Sequence, residues 1–159
     1  MKVLFLDIDG VLNSSSWINS NKGRKHGEFN KINPWCVENL NKIIDAIPDL
    51  KIVLSSSWRI LYSLEEVQAI LKINGFKSVL YDKTSNGVLS EDELCIESGR
   101  GTEIKLWLTE HPECKQFAIV DDEISDMKDL LPYIVQTNFF EAGLEPYHAE
   151  ELIKKLMEN

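Results

Sequence analysis

The chain has 159 residues, with 17 Lys and Arg against 26 Asp and Glu, a formal net charge of −9. Hydrophobic residues make up 43% and charged residues 27%, the proportions of a globular chain with a sizeable core, not of a disordered one. The acidic balance excludes non-specific nucleic-acid or membrane-surface binding, which needs a basic face, but leaves room for an anionic substrate held by a metal and a few cations.

The N-terminal run Lys2-Val3-Leu4-Phe5-Leu6 ends at Asp7 and reads as a buried strand. It is too short for a signal peptide, and no apolar run is long enough to span a membrane, so a cytoplasmic location is expected. Cys36, Cys95 and Cys114 are widely spaced, which suits reduced thiols there and no disulfide framework. Residues 13–33 are polar and read as a loop or small flap. Asn33-Pro34 then opens a helix as cap and first helical residue, with Val37, Leu40, Ile43, Ile44 and Ile47 at helical spacing.

Lys51-Ile52-Val53-Leu54-Ser55 is a second strand. Ser63 and Glu66 form a capping box for a helix that Asn74-Gly75 ends. A third strand is expected over Ser78–Tyr81 and irregular chain from Asp82 to Gly99. A helix follows from Thr102 to His111-Pro112, then a strand at Gln116–Val120 that runs into Asp121-Asp122. A short helix over Ser125–Leu131, a strand at Tyr133–Gln136 and a helix from Pro146 complete the chain.

Short apolar strands alternating with helices predict an α/β fold, a parallel sheet covered on both faces. Such sheets bind ligands beyond the carboxyl ends of their strands, at the point where strand order reverses. The residues at those ends are Asp7-Ile8-Asp9-Gly10, Ser55-Ser56-Ser57 and Asp121-Asp122. Carboxylates gathered together need a cation or a shared proton, and a few hard oxygen ligands suit Mg²⁺. A carboxylate can also attack phosphorus, while a second one protonates the leaving oxygen and later activates water.

These residues resemble the motifs of the haloacid dehalogenase (HAD) superfamily of phosphohydrolases. Asp7-Ile8-Asp9-Gly10-Val11-Leu12-Asn13 resembles its first motif, DxDGxLx, and Ile52-Val53-Leu54-Ser55 its second. Ile119-Val120-Asp121-Asp122 with Asp126 resembles its fourth. The finer pattern, Ser55-Ser56-Ser57-Trp58-Arg59 with Arg100-Gly101-Thr102-Glu103-Ile104, is similar to compact bacterial and phage HAD domains related to those of RNA repair proteins.

The resemblance implies a Rossmann-like three-layer sandwich with no large cap, a single domain over 1–159 with 13–33 as its flap. It also implies a Mg²⁺-dependent phosphatase. Asp7 would be nucleophile and metal ligand, and Asp9 general acid and base with its carbonyl on the metal. Ser55, with Ser56 as its rival, would bind the phosphoryl group. Asp122 would complete the metal site, with Asp121 and Asp126 as ligands or supports. The third motif needs a cation, which is Arg100 or Lys105. Arg100 is preferred, because a helix N-terminus adds its own dipole for an anion.

Arg59 reads either as a salt-bridged surface residue or as a substrate contact. Lys22, Arg24 and Lys25 form a basic tract that is a solvated loop or a grip on a polyanionic substrate. The expected partner is a phosphorylated small molecule or nucleic-acid end. Two rivals stay open at this point. One is a receiver-like signalling domain phosphorylated on Asp, the other a non-catalytic HAD-fold binding protein.

Overall fold

The computed structural model describes residues 1–20, 31–85 and 99–158, with the backbone of 88–89 and 95–96. In chain order its strands are β1 (Lys2–Leu6), β2 (Lys51–Leu54), β3 (Leu80–Lys83), β4 (Val88–Leu89), β5 (Cys95–Ile96), β6 (Gln116–Asp121) and β7 (Ile134–Gln136). Five of them form one parallel sheet in the order β3-β2-β1-β6-β7.

Side chains alternate across a strand, so each strand of a covered sheet feeds two cores. Leu4, Leu6, Ile52, Leu54 and Val120 point to one face. They pack there on Val37, Leu40 and Ile43 of the helix Pro34–Ala46, Val67 and Leu71 of the helix Leu64–Ile73, and Leu152 and Leu156 of the helix Pro146–Met157. Val3, Phe5, Val53 and Ile119 point to the other face. Ile104 and Trp107 of the helix Arg100–Glu110 cover them, with Met127 and Leu130. The Trp107 ring meets Phe5 edge-on, at 5.3 Å between centroids. The result is the α/β Rossmann-like sandwich that the alternating pattern predicts.

The expected caps are present. Asn33 accepts a hydrogen bond from the Trp35 amide with Pro34 at the first helical turn, and Ser63 and Glu66 form a reciprocal capping box. Several boundaries differ from the sequence reading. Strand β3 runs over Leu80–Lys83 rather than Ser78–Tyr81, and its pairing with β2 shifts register between Ile52 and Val53. The helix expected from Thr102 begins at Arg100, because Gly99 is extended and takes the cap position. The short helix expected over Ser125–Leu131 is a 3₁₀ turn over Lys128–Tyr133, which contains Pro132. Within the stretch read as irregular, β4 and β5 pair antiparallel. Four-residue helices also occur at Ser15–Ile18, inside the segment read as a loop, and at Trp58–Leu61, where the sequence reading has no element. Among the described residues, no helix is long and apolar enough to cross a membrane.

Candidate active site

The chain builds outward from β1 to β2 and β3, then returns to the other side of β1 with β6 and β7. The strand order therefore reverses between β1 and β6, and a crevice opens beyond their carboxyl ends. Leu6 is in register with Leu54 on one side and Val120 on the other. The next residues consequently stand beside one another: Asp7 and Ser55 just past β1 and β2, and Asp121 as the last residue of β6. The ladder is carried over by the Asp7 amide, which donates to the Val120 carbonyl at 3.1 Å, and the Ser55 amide, which donates to the Leu6 carbonyl at 2.9 Å.

Asp7, Asp121 and Asp122 each bring one carboxylate oxygen within 4.8 Å of the other two. Asp7 and Asp121 are buried and Asp122 is half-buried. Gly10 lets Asp122 come this close. Its φ of +79° suits glycine, and a Cβ there would lie 2.3 Å from the Asp122 carboxylate carbon. Thr137, just past β7, ties both loops down. Its hydroxyl donates to the Gly10 carbonyl at 2.7 Å and its amide to the Asp121 carbonyl at 3.0 Å.

Arg100 stands in the first turn of its helix. Its Nη1 lies 2.5 Å from Asp121 Oδ2 and 3.3 Å from Asp7 Oδ1. Burial pushes the Asp7 carboxyl up to about 8, and the Asp121 charge adds to that effect. The Arg100 guanidinium, the Ile8 amide and the Ser56 hydroxyl work in the opposite direction without overcoming it. Burial also raises Asp121 and Asp122 above the usual carboxylate range. One guanidinium therefore falls short of the charge that three carboxylates need. An all-oxygen, anionic donor set of this size could hold a hard divalent cation.

Asp9 is engaged differently. Its Oδ2 accepts the Trp58 indole N–H at 2.9 Å, and its Oδ1 accepts from the Asn13 side-chain amide at 2.9 Å. Asn13 in turn accepts from the Gly10 amide at 2.9 Å. The exposed Asp9 carboxylate is thus fixed beside the three-carboxylate group, close enough for its charge to raise Asp122. The Ser56 hydroxyl accepts from the Trp58 amide at 3.3 Å and stands close enough to Asp7 to lower its pKa. The Ser55 hydroxyl is buried with no hydrogen-bond partner among the described residues.

Other residues singled out in the sequence lie elsewhere. Asp126 is outside the group of three. Its carboxylate packs over Gly99, where a Cβ would lie 2.3 Å from Asp126 Oδ2, and its charge helps to keep Arg100 protonated. Lys105 pairs with Asp129 at 2.7 Å on an exposed flank. Arg59 is salt-bridged but not at the surface. Its Nη2 meets Glu103 Oε2 at 2.5 Å, with both side chains under 10% exposed. Its Nη1 donates to the Ser56 carbonyl at 2.8 Å and its Nε to the Ser85 carbonyl at 3.3 Å. Those bonds commit its guanidinium to holding the loop after β2. Lys22, Arg24 and Lys25 lie outside the described residues.

A family model for the HAD domain in Swiss Army Knife RNA repair proteins matches residues 3–149. The chain belongs to the HAD superfamily. No curated protein and no solved structure matches it. Membership supports a HAD-type phosphatase in general and sets aside the receiver-like reading.

Four residues of this HAD site escaped the sequence reading: Asn13, Trp58, Glu103 and Thr137. Three of them lie in the quoted patterns: Asn13 closes the first motif, Trp58 follows the serines of the second, and Glu103 stands in the run from Arg100 to Ile104. Thr137 becomes visible only once its element is packed.

Proposed function

We propose that this HAD domain is a Mg²⁺-dependent phosphatase that hydrolyses a phosphate monoester through an aspartyl-phosphate on Asp7. The observation that supports it is the meeting of Asp7, Asp121, Asp122 and Arg100 beyond the carboxyl ends of β1 and β6. Asp7, Asp121 and Asp122 would hold the ion, with the Asp9 carbonyl as a further ligand and Asp126 in support. When bound, it neutralises carboxylate charge and screens the incoming phosphoryl oxygens.

An Asp7 carboxylate oxygen bonds to phosphorus as the ester P–O bond breaks. Asp9, oriented by Trp58 and Asn13, gives its proton to the departing alcohol oxygen. Asp9 then takes a proton from the water that attacks the same phosphorus, which releases phosphate and restores Asp7. Arg100 faces the phosphoryl oxygens, and phosphoryl transfer depends mostly on such positioning and charge stabilisation. Ser55 or Ser56 donates the hydroxyl contact. Lys105 is the weaker candidate for the third-motif cation, since Asp129 engages it.

The substrate is a small phosphorylated molecule or a nucleic-acid end. The chain acts as one domain, 1–159, with 13–33 as its flap, in the cytoplasm, where Cys36 and Cys114 stay as thiols. Hydrolysis of an aryl phosphate before and after chelation tests the reading. Activity should vanish with the chelator and return with Mg²⁺. Full activity in chelator would refute the metal-dependent reading.

A further inference from the structure

Beside the three-carboxylate group lies a cleft of about 460 Å³ that the chemistry above does not use. Asp122 belongs to both, so the cleft adjoins the carboxylate group. Its other walls include Glu123, Phe139, Phe140, Glu141 and Tyr147. Phe140 is 82% exposed and Tyr147 is 55% exposed. A ring left in water forgoes the stabilisation that burial gives, and exposed aromatic surface in a cleft marks a place where something else covers it.

The aromatic wall is held in place. The Asn138 side chain accepts from the Phe140 amide at 2.9 Å, and the Asn138 carbonyl accepts from the Glu141 and Gly143 amides. The Phe139 carbonyl accepts from the Ser15 amide at 2.8 Å, and the Leu144 amide donates to the Val11 carbonyl at 2.8 Å. The turn that displays Phe140 is therefore bonded to the loop that carries the first motif. The Phe139 and Phe140 rings meet edge to face at 5.3 Å.

Charge selects the occupant. Asp122, Glu123 and Glu141 line the cleft, and among the described residues no Lys or Arg does. A chain of phosphates would be repelled there. A flat, neutral, aromatic group would not, and an aromatic side chain is a ready stacking platform for any base.

We propose that this cleft binds the nucleobase of a substrate nucleotide whose single terminal phosphate reaches Asp7. The proposal rests on the phosphatase reading and names its substrate class. The base belongs to a free mononucleotide or to the last nucleotide of a strand.

Calorimetry in an Asp7→Asn background, which holds the ester intact, tests it. Adenosine 5′- and 3′-monophosphate are compared with ribose 5-phosphate. One nucleotide should bind about tenfold tighter than the sugar phosphate, within the range of a single base–aromatic stack. Phe140→Ala should erase that advantage without changing ribose 5-phosphate binding, and Phe140→Tyr should restore it. Equal affinity for all three compounds, or a preference that survives Phe140→Ala, would overturn the subsite. Tighter binding of a 3′-phosphorylated tetranucleotide would assign the base to a strand end, and equal or weaker binding to a free nucleotide. Turnover of the three esters by the wild-type protein is read separately. Its absence together with base-dependent binding would overturn the phosphatase reading and uphold the cleft.

Discussion

The two flanks of the crevice use their polar groups in opposite ways. On the β2 flank, Arg59 is sealed in, with its donors taken by Glu103 and by the carbonyls of Ser56 and Ser85. On the β7 flank, Phe140 and Tyr147 stand exposed around an open, acidic cleft. The first flank fixes the loop that carries Ser55 and Ser56 and, through Glu103, grips the helix that carries Arg100, where small misplacements are costly to rate. The second flank holds the Gly10 and Asp121 loops through Thr137, yet leaves its aromatic rings uncovered. Arg59 and Arg100 make the same contrast at the level of single residues. Both are arginines near Asp7, yet one is committed to the fold and the other faces the carboxylates.

The sharpest break in this comparison is Asp7→Asn. It should reduce aryl phosphate turnover by at least about a thousandfold, because it removes the nucleophile itself. It should also stabilise the metal-free protein at alkaline pH. The Asp7 carboxyl titrates near 8 when folded, against an ordinary value of 3.8. As pH rises through that interval the unfolded chain releases its proton while the folded one keeps it, so stability falls across the window. Melting curves should show Asp7→Asn gaining on the wild type between about pH 5 and about pH 8. A variant that lost ground over that range would contradict the buried-carboxyl account.

Arg100→Ala should lower kcat by roughly a hundred- to a thousandfold, the usual loss of a group that stabilises transition-state charge. Arg100→Lys should recover part of it, since the charge returns without the planar fork. A kcat within a few-fold of wild type for Arg100→Ala would shift the third-motif role elsewhere.

Arg59→Ala should act on stability first. It strands Glu103 as an unpaired buried carboxylate, at a cost of about 3 kcal/mol in denaturant unfolding. The joint change Arg59→Met with Glu103→Leu should regain much of that, because no charge is then left buried. Failure of the double variant to recover would mean that the backbone bonds to the loop after β2 matter more than the pair.

The smallest effect belongs to Lys105→Ala. The exposed pair with Asp129 should be worth less than about 1 kcal/mol, and kcat should stay within about twofold. A large loss of kcat would return Lys105 to the site.

What could be read from the sequence follows from the distance over which each signal acts. The sheet and its coverage were legible, because runs such as Lys2–Leu6 and periodic helices such as Leu64–Ile73 carry their signals locally. Asp7, Asp121 and Asp122 were legible as a group, because parallel register delivers strand ends to one place. The pairings that fix the site were not. Trp58 is 49 residues from Asp9, Arg59 is 44 from Glu103, and Thr137 is 127 from Gly10. No local pattern announces a partner at such range. The β4–β5 pair was missed because two-residue strands show no periodicity. The start of the helix at Arg100 was missed because its cap is Gly99, which offers no side chain to read.

In the proposed mechanism Asp7 becomes covalently bonded to phosphorus during turnover. Acid-quenched enzyme, sampled while it hydrolyses an aryl phosphate and then reduced with borohydride, tests this directly, since an acyl phosphate is reduced to an alcohol and the carboxyl that carried it is marked. Mass spectrometry of the digested chain should find the mark at residue 7 and lose it in Asp7→Asn. A mark at Asp9, Asp121 or Asp122, or no mark in enzyme caught during steady turnover, would contradict the account.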